Sequence, residues 1–353
     1  MHSANVIDVD GSYGEGGGQI LRTAVAFSSI LGRPVRVSKI RAGRDVPGLR
    51  QQHLSALQTL AEIFRGELHG ADVGSSEISF SPGRAGATAI SVDMKTAASV
   101  TLLLQAVIPA VALAGSRVEL EVRGGTDVPW SPTFDYFSTV VKPAYGLLGV
   151  EFEASASRRG YYPRGGGRVS VKVGPCASLR AVDLVSAGAG STRADLVSRC
   201  GRLPRHVAER QLEAMARILS ASGVEVGDKS LGEEETDSPG SSVLASVTGG
   251  GRLIGADCLG AKGRSAEEVG GRAAEGLVSA VRSGAAVDSN LADMIAPLLS
   301  LAQRRSSLLV PEVSLHLKTG LYVAGLFTGC GFSFEQRGAA HLVTVSPLSG
   351  HNA

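Results

Sequence analysis

Residues 7–41, IDVDGSYGEGGGQILRTAVAFSSILGRPVRVSKIR, decide the fold. Ile7 to Asp10 read as a short strand. After the glycines, Ile20, Leu21, Ala24, Val25, Phe27 and Leu31 recur at helical spacing. Gly32 and Pro34 end that helix, and from Val35 and Val37 up to Arg41 the chain alternates as a strand. A second helix follows, marked by Leu49, Leu54, Leu57, Leu60 and Phe64 and closing near Gly66. Strand, helix, strand, helix points to an α/β or α+β fold built from recurring units.

Working outward, further strands are expected at Glu77 to Phe80, Ala89 to Val92, Val118 to Val122 and Val169 to Val173, with an apolar helix around Gln105 among them. No exact repeat is visible, yet the two-helix, several-strand unit recurs, and a third set of apolar elements follows Ala285. Between about Ala181 and Gly284 the texture changes: a strand-like Leu184, a helix from Leu203 to Ser220, then the polar run Gly232 to Ser241. The expected division is a large domain from 1–180 and 285–353, with 181–284 inserted as a smaller one. Within the polar run, Glu233, Glu234, Glu235 and Asp237 read as a solvated loop rather than a metal site. Thr96 to Gly115 is nearly uncharged, but Thr101, Gln105 and Pro109 and the lack of flanking aromatic or basic belts favour a buried helix over a membrane span.

With 353 residues, 43% of them hydrophobic, the chain can bury a sizeable core. Its 46 glycines beside only 5% aromatics indicate tight turns and close backbone contacts, not disorder, because apolar segments recur throughout. Lys and Arg number 35 against 33 Asp and Glu, so an anionic partner must be met by a local basic cluster. Cys176, Cys200, Cys258 and Cys330 are too scattered for a zinc site, which suits a reduced, cytoplasmic protein. The opening MHSANVIDVDGSYGEG lacks a basic stretch before an apolar core, so no secretory leader is expected and the mature protein is expected to start there.

Chemistry concentrates in a few places. Gly14-Glu15-Gly16-Gly17-Gly18-Gln19 lies between a strand and a helix, where backbone amides can face an anion. The Glu15 carboxylate there suits a metal ion better than a phosphate. Alone, this run matches neither a P-loop nor G-x-G-x-x-G and is equally readable as a structural turn. Arg22 follows one turn inside the helix. Arg41 and Arg44 stand at a strand end beside Gly43, and their guanidinium forks suit phosphate oxygens, although surface arginine is the plainer reading. Gln52 and His53 fall on the next helix, His53 beside Leu49 and Leu57 as a satisfied core residue would. Gln105, inside an apolar helix, needs a hydrogen-bond partner.

The strings DGSYGEGGGQILR, IRAGRDVPGLRQQHL, GGTDVPWSP, GYYPRGGG, LPRHVAER and SLHLKTG occur in this order from Asp10 to Gly320. Together they resemble the RNA 3'-terminal phosphate cyclase family over nearly the whole chain, and several long motifs in sequence are far more specific than any one. The resemblance implies a large domain of three repeated units, each with two helices on a four-stranded sheet, plus a smaller inserted α/β domain. It implies ATP and a divalent metal, Mg2+ or Mn2+, as cofactors and RNA with a 3'-terminal phosphate as partner. A homodimer is left open, and no membrane is expected. By position it makes His316 the residue that takes AMP from ATP, sets Glu15 near the metal, and sets Arg22, Arg41, Arg44, Gln52 and His53 near phosphates. Gln105, Pro132 and the run Asn290, Leu291, Ala292, Asp293 and Met294 fall at the nucleotide pocket. Better-known bacterial members carry Tyr where Asn290 stands and Gln where Met294 stands, so altered nucleotide affinity is expected, with activity retained.

The activity so implied is conversion of an RNA 3'-phosphate to a 2',3'-cyclic phosphate through histidine-bound AMP and adenylylated RNA. Periodicity alone would make His316 a histidine in an apolar strand. A non-catalytic, cyclase-like ribosome-assembly protein is the competing reading, opposed by the presence of His316, Glu15 and Arg22. An enolpyruvyl transferase, which resembles the cyclases in fold, is opposed by SLHLKTG.

Overall fold

The computed structural model describes residues 6–186 and 192–348; part of the amino-terminal stretch read above for a leader, residues 1–5, lies outside the described residues. The first unit runs β1 (Ile7–Asp10), α1 (Gly18–Leu31), β2 (Val35–Ser38), α2 (Gln51–Ile63), β3 (Glu67–His69) and β4 (Ile78–Ser81). Its sheet order is β1-β2-β4-β3, with β1 parallel to β2 and the other pairs antiparallel. α1 stops where expected: Gly32 takes the left-handed conformation, φ 63°, and its N–H bonds the Ser28 carbonyl.

The second unit repeats the pattern with β5 (Ala89–Asp93), α3 (Val100–Leu113), β6 (Val118–Gly124), a helical stretch in three contiguous segments, β7 (Phe152–Arg158) and β8 (Gly167–Val173). Those segments are α4 (Phe134–Tyr136), a π-helical turn (Phe137–Val141) and α5 (Lys142–Leu147). The sheet order β5-β6-β8-β7 is that of the first unit. α3 is the buried apolar helix anticipated from its sequence, with Leu103, Leu104, Val107, Ile108 and Val111 all in the core. Each such side chain contributes about 1.5–3 kcal/mol by leaving water. Among the described residues no helix is long and apolar enough to cross a membrane.

β9 (Asp183–Leu184) is followed by β10 (Arg193–Gly201), α6 (Arg205–Ala221), β11 (Glu225–Glu234), β12 (Gly240–Gly249), β13 (Arg252–Leu259) and α7 (Ala266–Arg282). β10 to β13 form their own sheet, ordered β11-β10-β12-β13, over a separate core that includes Leu196, Met215, Val243, Ile254 and Leu277. The third unit closes with α8 (Ser289–Leu299), β14 (Ser306–Val310), α9 (Leu315–Thr328), β15 (Gly331–Arg337) and β16 (Ala340–Ser346). Its sheet, β15-β16-β14-β9, repeats the connectivity of the first two, and the fold is a mixed α/β assembly of recurring units.

Three local expectations change. The strand at Leu184 does not open the intervening sheet; it pairs in parallel with β14, Leu184 opposite Leu308. The acidic run is not a plain solvated loop, because Glu233 and Glu234 end β11 and face Arg205 and Arg199, while Glu235 and Asp237 pair with Arg158. His316 sits on the first turn of α9, not on a strand, since Ser314 caps that helix by accepting the Leu317 N–H.

α1 packs against both α3 and α9, so helices of all three units meet, and one continuous core joins Leu21, Val25, Leu104, Ile108, Leu291, Leu317 and Leu321. That meeting brings the start of α1 alongside the start of α9.

Candidate active site

The loop between β1 and α1 is held on α9 by two contacts. The rings of Tyr13 and Tyr322 stack with centroids 3.8 Å apart. Gly14, at φ +63°, lies where any Cβ would strike the Thr319 hydroxyl, so this position requires glycine for both its backbone and its space. The loop therefore delivers Glu15 to His316, with Oε2 at 3.2 Å from Nδ1. Arg44 braces the same carboxylate at 3.4 Å and donates from Nε to the Glu15 carbonyl at 3.1 Å. Gln19 Nε2 donates to the His316 carbonyl at 3.1 Å. The imidazole is 47% exposed, fixed through Nδ1 at the positive end of a helix, a position that attracts anions.

His316 opens onto a cleft of about 1160 Å³, whose lining includes Gln19, Arg22, Gln105, Pro132, Asn290, Asp293 and Met294. Residues far apart in the chain thus converge on one cleft. Gln105 finds its partner in Met294, Nε2 to Sδ 3.3 Å. Leu291 and Ala292 are fully buried and do not line the cleft; they anchor α8 in the core while Asp288 caps it. Asp293 accepts from Ser314 Oγ at 2.5 Å, tying α8 to the cap of the His316 helix. Burial, reinforced by Asp288, Glu312 and Glu15, lifts its carboxyl to about 7 although Ser314 pulls it down.

The arginines divide. Arg22 lines the cleft and makes no hydrogen bond or ion pair with any described residue, and burial lowers its guanidinium to about 10. A partly buried cation without a counter-charge is a ready anion site. Arg41 stands outside the cleft lining with a left-handed backbone, φ 54°, and donates to the Val46 carbonyl. Gln52 is exposed and contacts His53 Nε2 at 3.3 Å. His53 is 1% exposed and packs under Gly18; burial first, then Arg22, Arg41 and Arg50, push its pKa down to about 3, so it is a neutral prop beneath the arginines.

Several cleft residues escaped the reading of the sequence. The β12–β13 side supplies Asp257, Cys258, Lys262 and Arg264, and the second unit supplies Trp130 and Tyr162. Asp257 accepts the Thr133 N–H at 2.7 Å, and burial raises its carboxyl. Behind this wall Arg159, nearly buried, bridges Asp127 at 3.3 Å and Asp135 at 2.8 Å; burial opposes its charge, but the two carboxylates outweigh that and hold it raised. Arg199 of β10 reaches the same Asp135 at 3.7 Å. The exposed aromatics and the loop at Lys262 carry no period in sequence; only the glycine-rich strings around Trp130 and Tyr162 could have flagged them.

As for a divalent ion, no group of three His, Cys, Asp or Glu suited to one exists among the described residues. Glu15 Oε1, however, has no hydrogen-bond partner among them, so one carboxylate oxygen is free to share an ion whose remaining ligands are phosphate and water, a common arrangement for Mg2+.

The profile of the RNA 3'-terminal phosphate cyclase family matches residues 13–334 of the chain. RNA 3'-terminal phosphate cyclase of Methanopyrus kandleri is 46% identical over 330 residues, covering 92% of this chain and 93% of that protein. The proteins of the same name from Pyrobaculum neutrophilum and Pyrococcus furiosus are 40% and 42% identical, covering 96% and 94% of this chain and 98% and 95% of their own lengths. With the family match running over residues 13–334 and a relative 46% identical over 92% of the chain, the chain belongs to the RNA 3'-terminal phosphate cyclase family.

Proposed function

We propose that the chain converts the 3'-terminal phosphate of RNA into a 2',3'-cyclic phosphate at the expense of ATP, by way of AMP carried on His316. The observation that carries this reading is the 3.2 Å contact of Glu15 with His316 Nδ1 at the mouth of a cleft large enough for a nucleotide. A carboxylate accepting Nδ1–H fixes the tautomer and leaves the Nε2 lone pair for attack. Nε2 attacks the α-phosphorus of ATP, forming a P–N bond as the bond to the bridging oxygen breaks and pyrophosphate departs. An oxygen of the RNA 3'-phosphate next displaces His316 from that phosphorus. The vicinal 2'-oxygen, losing its proton, then closes on the 3'-phosphorus and expels AMP; nucleophile and electrophile share one ribose, so the step is entropically cheap.

In this reading the protein's task is to position anions and offset charge, and the locations of Arg22 in the cleft and of the amino end of α9 beside it support that. A divalent ion, when bound, supplies charge neutralisation on the triphosphate, with Glu15 as its protein ligand. Gln105, Pro132, Asn290, Asp293 and Met294 are the residues for the nucleotide. The reading further assigns Arg41, Arg44 and Gln52 to the phosphate side, with His53 as support, and places the reaction in the cytoplasm.

The test is incubation with ATP labelled at the α-phosphate and a divalent ion, without RNA. Label that survives alkali and is lost in acid is expected, as for a phosphoramidate, and His316→Ala is expected to take up none. Full labelling of that variant overturns the mechanism, and an unlabelled wild type favours a non-catalytic cyclase-like protein.

A further inference from the structure

Trp130 is 97% exposed, lines the cleft that His316 opens onto, and holds a left-handed backbone with φ 62°. Each property is unfavourable for a tryptophan in isolation: indole gains most by burial, and a bulky residue seldom adopts positive φ. The conformation is enforced from both sides. Ser131 Oγ donates to the Val128 carbonyl at 2.9 Å, Thr101 Oγ1 to the Pro132 carbonyl at 2.8 Å, and the Thr133 N–H to Asp257 at 2.7 Å. The loop is therefore clamped between α3 and β13, and the ring is presented by a rigid support. A second exposed aromatic, Tyr162 at 67%, lines the same cleft. Lys262 lines it too, and Arg164 is exposed two residues beyond Tyr162.

We propose that Trp130, with Tyr162, is a stacking platform for the bases of the RNA at or next to its 3' end, with Lys262 and Arg164 meeting the phosphates that follow. The proposal rests on the reading that RNA enters this cleft. Flat aromatic faces beside mobile cations are the usual means of holding single-stranded nucleic acid without reading its sequence, since every base has a π face. The adenine of ATP offers the same face. An open position with cations nearby favours a chain passing over the ring, whereas a single nucleoside would be held in an enclosed pocket.

Trp130 is the only tryptophan of the chain, so its emission reports on this one position. With no ATP present, titrating a short oligoribonucleotide bearing a 3'-phosphate should quench the emission saturably, and an oligonucleotide abasic at its last two positions should bind with little quenching. ATP alone should leave the emission unmoved. By fluorescence anisotropy of a dye-labelled RNA, Trp130→Ala should bind roughly tenfold more weakly, and Trp130→Phe should keep most of the affinity. RNA binding with no change in emission, or quenching by ATP but not by RNA, overturns the platform while leaving the proposed activity standing. Absence of any RNA binding by the wild type overturns both.

Discussion

Glu15 and His316, from opposite ends of the chain, are joined Oε2 to Nδ1 at 3.2 Å because the Tyr13–Tyr322 stack holds the first loop on the last helix. If that contact orients the imidazole, Glu15→Ala should slow labelling of His316 by ATP about 10- to 100-fold, the usual cost of removing a partner that orients a functional imidazole. Glu15→Gln, which keeps an acceptor oxygen, should fall between. Labelling of Glu15→Ala at the wild-type rate would show that the contact is incidental.

Arg22 lines the cleft and has no counter-charge among the described residues, which leaves its guanidinium open to an anion. Arg22→Ala should weaken binding of 3'-phosphate RNA and lower the slope of log affinity against log salt by about 1. Arg22→Lys should restore part of the salt slope but not the forked geometry. An unchanged slope in the alanine variant would remove Arg22 from the RNA site.

The lifted Asp293 carboxyl has a consequence for stability. Folded, it keeps its proton up to about 7, while in the unfolded chain it ionises near the ordinary value of 3.8. The folded state thus holds the extra proton between those values, and stability falls as pH rises through that window, by at most roughly 1.4 kcal/mol per pH unit from this group. Asp293→Asn preserves an oxygen acceptor for Ser314 and removes the titration. Denaturant midpoints measured from about pH 4 to 7 should therefore decline more steeply for the wild type than for the variant. Parallel curves would place the carboxyl's pKa in its ordinary range.

Gly18 begins α1 directly against the buried ring of His53, where an added Cβ would overlap the imidazole. Gly18→Ala should destabilise the fold by about 1–3 kcal/mol. His53→Ala opens the space, so the double variant should be less destabilised than the sum of the singles, with a coupling of about 0.5–3 kcal/mol by denaturation. Strict additivity would mean that the loop, and not the ring, gives way.

Elements with a buried face are legible in the sequence. α1 and α2 each carry an apolar stripe that matches what they bury, and α3 is apolar nearly all round and buried to match. β15 is exposed at every residue, so the alternating Phe332 and Phe334 of its GFSFEQR mark no buried face. The Leu-x-Leu alternation in Ser314-Leu315-His316-Leu317 imitates a strand, but Leu315 is 54% exposed while Leu317 is buried, and the cap at Ser314 makes the turn helical. Glu233 and Glu234 look like loop residues until Arg205 and Arg199 stand opposite them. At the cleft, the motif-bearing residues around His316 could be named because their strings are long. Asp257 and Lys262 could not, because their place depends on how β13 and the loop after it lie across the cleft; Trp130 lies within the string GGTDVPWSP, but nothing there shows that its ring stands exposed.

The parallel pairing of β9 with β14 bears on how the polypeptide assembles at the ribosome. Val182 donates to Ser306 Oγ across a separation of 124 residues, and everything from β10 to α7 is made in between. The first two sheets and the β10–β13 sheet can close as they emerge, since their strands are neighbours in synthesis. The strand at Leu184 must wait unpaired until Leu308 has been translated, and α9, which bears His316, is made later still. Distant pairing of this kind is slow and leaves an open edge meanwhile. The cleft at His316 is thus completed only late in synthesis, and truncated products ending before β14 should carry a bare β9 edge exposed to aggregation.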